Sequence, residues 1–276
     1  MIITWVDAGS NSFSCDSSNE SQDYRFDKLS GLEGGGANWI NQQAPFQHGQ
    51  TVIRPQGKAL LIQFELFFFG TSNSDAETKR RTLAQRFSPF HTTGEKNRGT
   101  LSFAMDYGTT FFINAVPQSI VIPPATAPHV YRALVTMFSD GEPFFFTAQE
   151  ELGLTEGTPV AISNGGELPT RPKLIVTGPC NGARFTNNTT GKFVEVTDYA
   201  LLSGHRLEID CAFDAQPKVV DILISSGAIT DLMIYVPSDA TFWDLLVGTN
   251  NILYDSVDNL GTTPKIQWYE KFRGIG

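Results

Sequence analysis

The chain has 276 residues, of which 41% are hydrophobic and 18% charged, with a net charge of −9. This is a globular composition with ample core material, long for one domain and comfortable for two. The acidic balance argues against a protein that grips nucleic acid, since phosphate contacts need clustered Lys and Arg and the densest cluster is Lys79-Arg80-Arg81.

The start, Met1 to Asp7, has no charged region followed by an apolar run, so no signal peptide is expected. No apolar stretch approaches the roughly 20 residues that span a bilayer. Cys15, Cys180 and Cys211 are widely spaced and form no CxxC pair. They imply synthesis in a reducing cytosol, with no disulfide framework and no zinc knuckle. There the sequons at Asn187 and Asn188 would go unused. Phe is the dominant aromatic, with 21 copies, and suits sheets more than helices.

Residues 1 to about 57 are rich in turn formers and poor in regular pattern. Gly31 to Gly36 marks one loop, and Gln43 to Gln50 a second. Ala59 to Phe69, "ALLIQFELFFF", predicts a long strand, with Ile62, Phe64, Leu66 and Phe68 on its strongly apolar face. Ser74-Asp75-Ala76-Glu77 fits a capping box at the head of a helix that Ser88-Pro89 ends. Its apolar face is expected at Ala76, Leu83 and Phe87. Short strands are predicted at Gly99–Met105, Thr110–Val116 and Val130–Met137, and Phe144-Phe145-Phe146 closes the block.

Residues 149–170 are acidic and contain Gly and Pro, which predicts a linker or domain-crossing extension. The domain division is therefore 1–150 and 151–276, with the extension at 151–170. Beyond it, strands are predicted at Lys173–Thr177, Ala183–Thr186, Lys192–Val196, Arg206–Cys211, Lys218–Ile222, Met233–Val236, Asn251–Tyr254 and Lys265–Lys271. That regular spacing predicts a β-sandwich. Asn187-Asn188-Thr189-Thr190-Gly191 joins two arms of similar length, so Phe185–Val196 reads as a hairpin, with Phe185 and Phe193 anchored in the core, the alternative being a binding loop.

No catalytic, metal or cofactor set stands out. His48, His91, His129 and His205 show no close metal spacing, and there is no nucleophile elbow, P-loop or dinucleotide fingerprint. No active site, metal site or cofactor is therefore expected. The run Phe67-Phe68-Phe69 cannot face one side of a strand. With Trp39 it supplies the candidate subunit-interface residues, the alternative being burial within the same chain.

Several segments resemble the phage distal tail proteins (Dit) of siphovirus-type tails, in the phage tail protein family. "LSGLEGGG", "QQAPFQHGQ", "ALLIQFELFFFGTSNSDAETKRRTLAQRFSP" and "GTLSF" resemble its amino-terminal module in order. "ISNGGELPTRPKLIVTGPCNGARFTNNTTGKFVEV", "LLSGHRLEIDC", "LLVGTNNILY" and "KIQWYEKFRGI" resemble its carboxyl-terminal domain. His205 stands where that family usually carries Asp or Glu.

The resemblance implies a mainly β fold. A tail-tube-like β domain with one helix and a long hairpin would precede a galectin- or carbohydrate-module-like β-sandwich. It implies a hexameric ring at the tail tip or baseplate, built by the amino-terminal domains. That ring would join the tail tube protein to the tail-tip hub protein, support receptor-binding or side-fibre proteins, and pass DNA through its lumen. Such a protein is assembled in the bacterial host cytoplasm and resides in the virion. An acidic wall would let the genome pass without sticking.

The rival reading is a carbohydrate-binding module that aids adhesion to host glycans. Phe242, Trp243, Trp268 and Tyr269 are its candidate stacking residues. A cell-wall hydrolase finds no carboxylate pair to support it.

Overall fold

The computed structural model describes residues 1–17, 23–34, 36–42, 51–90, 94–125, 129–211, 217–258 and 262–275; for 37–42 and 51–57 it describes the backbone alone. The chain divides into two compact units, Met1–Thr147 with Phe272–Gly276, and Ala148–Lys271.

The first unit contains β1 (Ile2–Asp7), β2 (Ser12–Asp16), β3 (Tyr24–Ser30), β4 (Ala37–Gln42), β5 (Thr51–Gly57), β6 (Leu61–Phe69) and α1 (Asn73–Arg86). It continues with β7 (Gly99–Ala104), β8 (Thr110–Val121), β9 (Val130–Ser139) and β10 (Phe145–Phe146). The order β8-β7-β1-β2-β3-β6-β9 closes on itself through a β8–β9 pairing, forming a barrel. Closure removes the exposed edges that an open sheet would present. β8 makes the closure possible: its first half pairs with β7 and its second half with β9. The register shifts between Pro117 and Ser119, where a proline without an N–H suits an irregularity that bends the strand. β4 and β5 form a separate hairpin.

The barrel core is aromatic, with Trp5, Phe64, Phe68, Phe87, Phe103 and Phe145 fully buried. Each such Phe contributes roughly 1.5–3 kcal/mol by leaving water. Phe87, just past α1, meets Phe13 and Phe64 edge-on with centroids 5.2 and 5.7 Å apart, which pins the helix to the core. Gly70, between β6 and α1, permits that approach, since a Cβ there would come within 2.5 Å of Ala76 Cβ.

Three sequence expectations for this unit are corrected. Among the described residues of 1–57 there are five strands, in place of the irregular chain expected. In β1, Ile3, Trp5 and Asp7 point inward, but Ile2 and Val6 are apolar too and face outward, which hides the alternation. The helix cap is Ser72, not Ser74: Ser72 Oγ accepts the Asp75 N–H at 3.1 Å. Asp75 then accepts the Thr71 N–H at 2.8 Å, while Glu77 binds Arg80 and Arg81 instead of reaching back. Finally, the last residues belong to this unit and not to the second. Ile275 N–H donates to Leu32 C=O at 2.7 Å, and Phe272 packs edge-on against Phe111. Gly274 lies so close to Leu32 and Glu33 that a Cβ would meet their backbone at 2.7–2.8 Å.

The second unit contains β11 (Glu150–Gly153), β12 (Val160–Asn164), β13 (Lys173–Thr177), β14 (Cys180–Asn181), β15 (Arg184–Asn187) and β16 (Lys192–Glu195). β17 (Ala200–Leu201), β18 (His205–Asp210), β19 (Lys218–Leu223), β20 (Ala228–Asp231), β21 (Gly248–Asp255) and β22 (Thr263–Trp268) follow, and β23 (Lys271–Phe272) then extends the first unit's sheet beyond β10. One sheet runs β11-β22-β13-β18-β19-β20 and the other β12-β21-β15-β16. Leu174, Leu207, Val219 and Ile266 of the first share one core with Ile162, Phe185, Val194 and Ile252 of the second. This is a two-layer sandwich.

The stretch expected as a linker carries β11 and β12, each paired into a sheet. Glu150 and Glu151 make β11 look like loop sequence, yet Glu151 bonds Lys265 and Gln267 on the neighbouring strand. The apolar run Met233–Val236 is not a strand: Met233–Tyr235 is a single 3-10 turn, and the strand is β20 just before it.

Candidate assembly surface

The alternation of β6 sorts its phenylalanines. Ile62, Phe64, Leu66 and Phe68 point into the barrel. Leu61, Gln63, Glu65, Phe67 and Phe69 lie on the outer face. Of the proposed interface residues, Phe67 and Phe69 thus share a surface, and Phe69 is 49% exposed. Phe68 does not join them. It is fully buried and stacks on Tyr131 at 5.2 Å, so it has no surface to offer a neighbour. Trp39 lies on β4, and its side chain is outside the described residues, as are the loop expected at Gln43 to Gln50, His48 and His91.

The partner strands extend this face. β9 places Arg132 opposite Phe67 and Leu134 opposite Glu65, and β8 places Val121 opposite Leu134. Leu61 is 41% exposed, Leu134 40% and Val121 56%, so the outer barrel wall carries an apolar band. Leu134 and Val121 were missed in the sequence because each sits in a strand whose opposite face is also apolar. Pairing register is the signal that brings them together.

A charge pair crosses the band. Glu65, 7% exposed, is ion-paired with Arg132, whose guanidinium carbon also lies 5.9 Å from the Phe67 ring centre. Arg132 therefore holds a buried carboxylate and covers an aromatic ring at once. At the end of β6, Lys79 of α1 donates to the Phe69 carbonyl at 2.8 Å and to Asp23 at 2.7 Å. These contacts fix the strand end that carries Phe69.

The second unit's motif residues turn out to be staples. Asn164, Asn187 and Asn250 are fully buried. Asn164 Nδ2 donates to the Leu168 and Leu245 carbonyls, Asn187 Nδ2 to the Asp244 carbonyl at 3.3 Å, and Asn250 Nδ2 to the Leu246 carbonyl at 2.7 Å. All three hold the segment 244–246, which carries buried Leu245. Asn187 Oδ1 also accepts the Thr189 and Thr190 N–H groups, and Gly191 adopts φ +70°. Phe185–Val196 is therefore a hairpin with a structural loop, as its sequence suggested. Phe193 is not a core anchor. The register pairs Phe185 with Val194, which leaves Phe193 on the other face, where Arg184 lies 4.0 Å over its ring.

The candidate sugar platform does not assemble. Trp243 and Trp268 are 1% and 7% exposed and belong to the sandwich core, with Phe242 packed against it. Only Tyr269 is exposed, and its hydroxyl donates to Gln149.

His205 and Asp221 form a further polar cluster. His205 Nδ1 lies 2.8 Å from Asp221 Oδ2, which also accepts the Tyr199 hydroxyl at 2.5 Å. Burial, reinforced by that hydrogen bond, pushes the Tyr199 phenol up to about 12. Asp221 is 4% exposed, and no nucleophile accompanies the cluster in these contacts. It ties strands together by charge-assisted hydrogen bonds.

No protein-family model and no curated protein matches the sequence. Solved structures do match the fold. The crystal structure of the phage SPP1 Dit protein, described as a paradigm of the hub adsorption apparatus in phages infecting Gram-positive hosts, superposes with a TM-score of 0.69 at 11% identity, over 98% of this chain and 99% of that one. A chain of the phage P2 baseplate in its activated conformation with Ca gives 0.53 at 9% identity, over 96% and 97%. The same baseplate with Sr gives 0.52 at 10% identity, over 97% and 98%. Over nearly its full length, this chain has the mainly β fold of the SPP1 Dit protein.

Proposed function

We propose that this chain is a distal tail protein of a siphovirus-type phage tail, a structural component of the tail tip or baseplate. The observation that carries the reading is the end-to-end likeness to the SPP1 Dit protein, which spans both units. In this reading the first unit assembles a homo-hexameric ring, and the band around Phe67, Phe69 and Leu134 packs against the next subunit. The ring joins the tail tube protein to the tail-tip hub protein. It supports receptor-binding or side-fibre proteins, serves host attachment, and passes DNA through its lumen.

Three physical features support this role. An apolar band on the barrel wall is the kind of surface that subunit contacts cover. The net charge of −9 suits a conduit that must not retain a polyanion. The buried Asn164, Asn187 and Asn250 of the second unit hold the segment 244–246 by its backbone carbonyls, a structural use of polar side chains. Negative-stain images of the purified chain, alone and co-expressed with its tube and hub proteins, test the reading. Sixfold rings that cap tube segments support it. Compact single particles in both samples would refute it.

A further inference from the structure

β20 is the outermost strand of the second unit's larger sheet, and all four of its residues are exposed. Its inner side is fully used. Leu232 N–H donates to Val219 C=O at 2.8 Å, Thr230 lies opposite Asp221, and Ala228 lies opposite Leu223. In an antiparallel ladder, successive residues turn their backbone groups to alternate sides. Ala228, Thr230 and Leu232 therefore face β19. Ile229 and Asp231 turn their N–H and C=O groups to the open side, where no strand pairs among the described residues.

Edge strands in natural proteins are usually guarded by charged side chains, especially lysine, by proline, by a bulge or by a covering segment. β20 contains no lysine or proline, its one charge is Asp231 at its end, and its pairing with β19 shows no register shift. Its surroundings are apolar instead: Ile229 is 67% exposed, Ile224 53% and Ile234 85%. Ile229 lies beside Ile222 on the same face of the sheet.

We propose that β20 is a docking edge for an extended segment of a partner protein, which adds to the sheet as a further antiparallel or parallel strand. The open groups at Ile229 and Asp231 call for backbone donors and acceptors at strand spacing, which another strand supplies. The side chains specify the partner further: an apolar residue beside Ile229 and a basic one beside the Asp231 carboxylate. A second copy fits less well. Two β20 strands paired about Thr230 would set Ile229 against Asp231, an apolar group against a charge, and paired about Ile229 they would set each Asp231 opposite the turn residue Gly227, with no basic partner. The proposal stands apart from the ring reading, because it concerns only the sandwich.

The test uses the full chain and a short blocked Thr-Val-Thr-Lys-Thr peptide as probe, whose valine and lysine, two residues apart, share one face. Amide hydrogen exchange is followed at Ile229 and Asp231, with binding measured by titration. The peptide should protect both amides, and the same peptide N-methylated on alternate residues should not bind. Ile229→Pro removes an outward N–H without breaking a bond to β19, and should weaken binding about tenfold or more. Ile229→Lys, a natural form of edge guard, should do the same and decides the matter if the proline variant melts early. Unprotected amides, equal binding of the N-methylated peptide, or unchanged binding in the variants would overturn the proposal. A peptide-free dimer that Ile229→Lys dissociates would assign the edge to a second copy and overturn it too.

Discussion

Phe67 and Phe68 are consecutive in β6 and face opposite sides of the barrel wall: Phe68 is sealed against Tyr131, while Phe67 lies outside beneath Arg132. Their substitutions should therefore separate. Phe68→Ala should destabilise the first unit by about 3–5 kcal/mol, the range for emptying a buried phenylalanine site. Phe67→Asp and Phe69→Asp should leave a folded chain that no longer assembles. Chemical denaturation alongside sizing distinguishes the outcomes, and unfolding of the two outer variants would move the band into the core.

The Glu65–Arg132 pair offers a second test. Arg132→Ala leaves a mostly buried carboxylate without its partner, a change expected to cost about 1–3 kcal/mol. Glu65→Gln in the same background removes the orphaned charge and should recover part of that loss. A double-mutant cycle by urea unfolding reads the coupling, and strictly additive effects would show that the pair is idle.

In the hairpin loop, the two neighbouring asparagines should behave differently. Asn187→Ala removes bonds to Thr189, Thr190 and Asp244 from a fully buried site and should cost about 1–3 kcal/mol. Asn188→Ala should change little. Gly191→Val should cost about 1–3 kcal/mol through its positive φ alone, since a Cβ there meets nothing within 4 Å. Thermal unfolding of the three variants checks the ranking.

These contacts also show what a sequence displays and what it hides. β6 and α1 were legible because each has one apolar face set against polar neighbours. The cap was misplaced by two residues because Ser72 and Ser74 offer the same hydroxyl three residues before an acid, and only geometry chooses between them. β1 was hidden by Ile2 and Val6, apolar on the outer face. β20 has no buried face at all, so no period marks it. The apolar band was half legible: the Phe run announced it, but Leu134 and Val121 reach it only through pairing register. The return of Phe272–Gly276 to the first unit has no local signal, since its cause is contact with Leu32, Glu33 and Phe111.

The Tyr199 hydroxyl gives a pH-dependent prediction. Its folded value is raised from 10.0 to about 12. The folded state thus holds this proton more tightly than the unfolded state. The stabilisation is complete below pH 10 and is lost as pH rises from 10 through about 12. Burial also raises Cys15 and Cys211 to about 12, so the wild-type alkaline limb is a composite. The difference between wild type and Tyr199→Phe isolates the phenol: the variant should lose less stability across that window. Identical alkaline limbs would remove Tyr199 from the account.

The most direct measurement of the central claim is the mass of the purified chain by sedimentation velocity, across a dilution series and beside Phe69→Asp. The account predicts a species of six chain masses in the wild type and a folded monomer in the variant. A wild-type monomer at every concentration, or a hexamer that Phe69→Asp leaves intact, would contradict it.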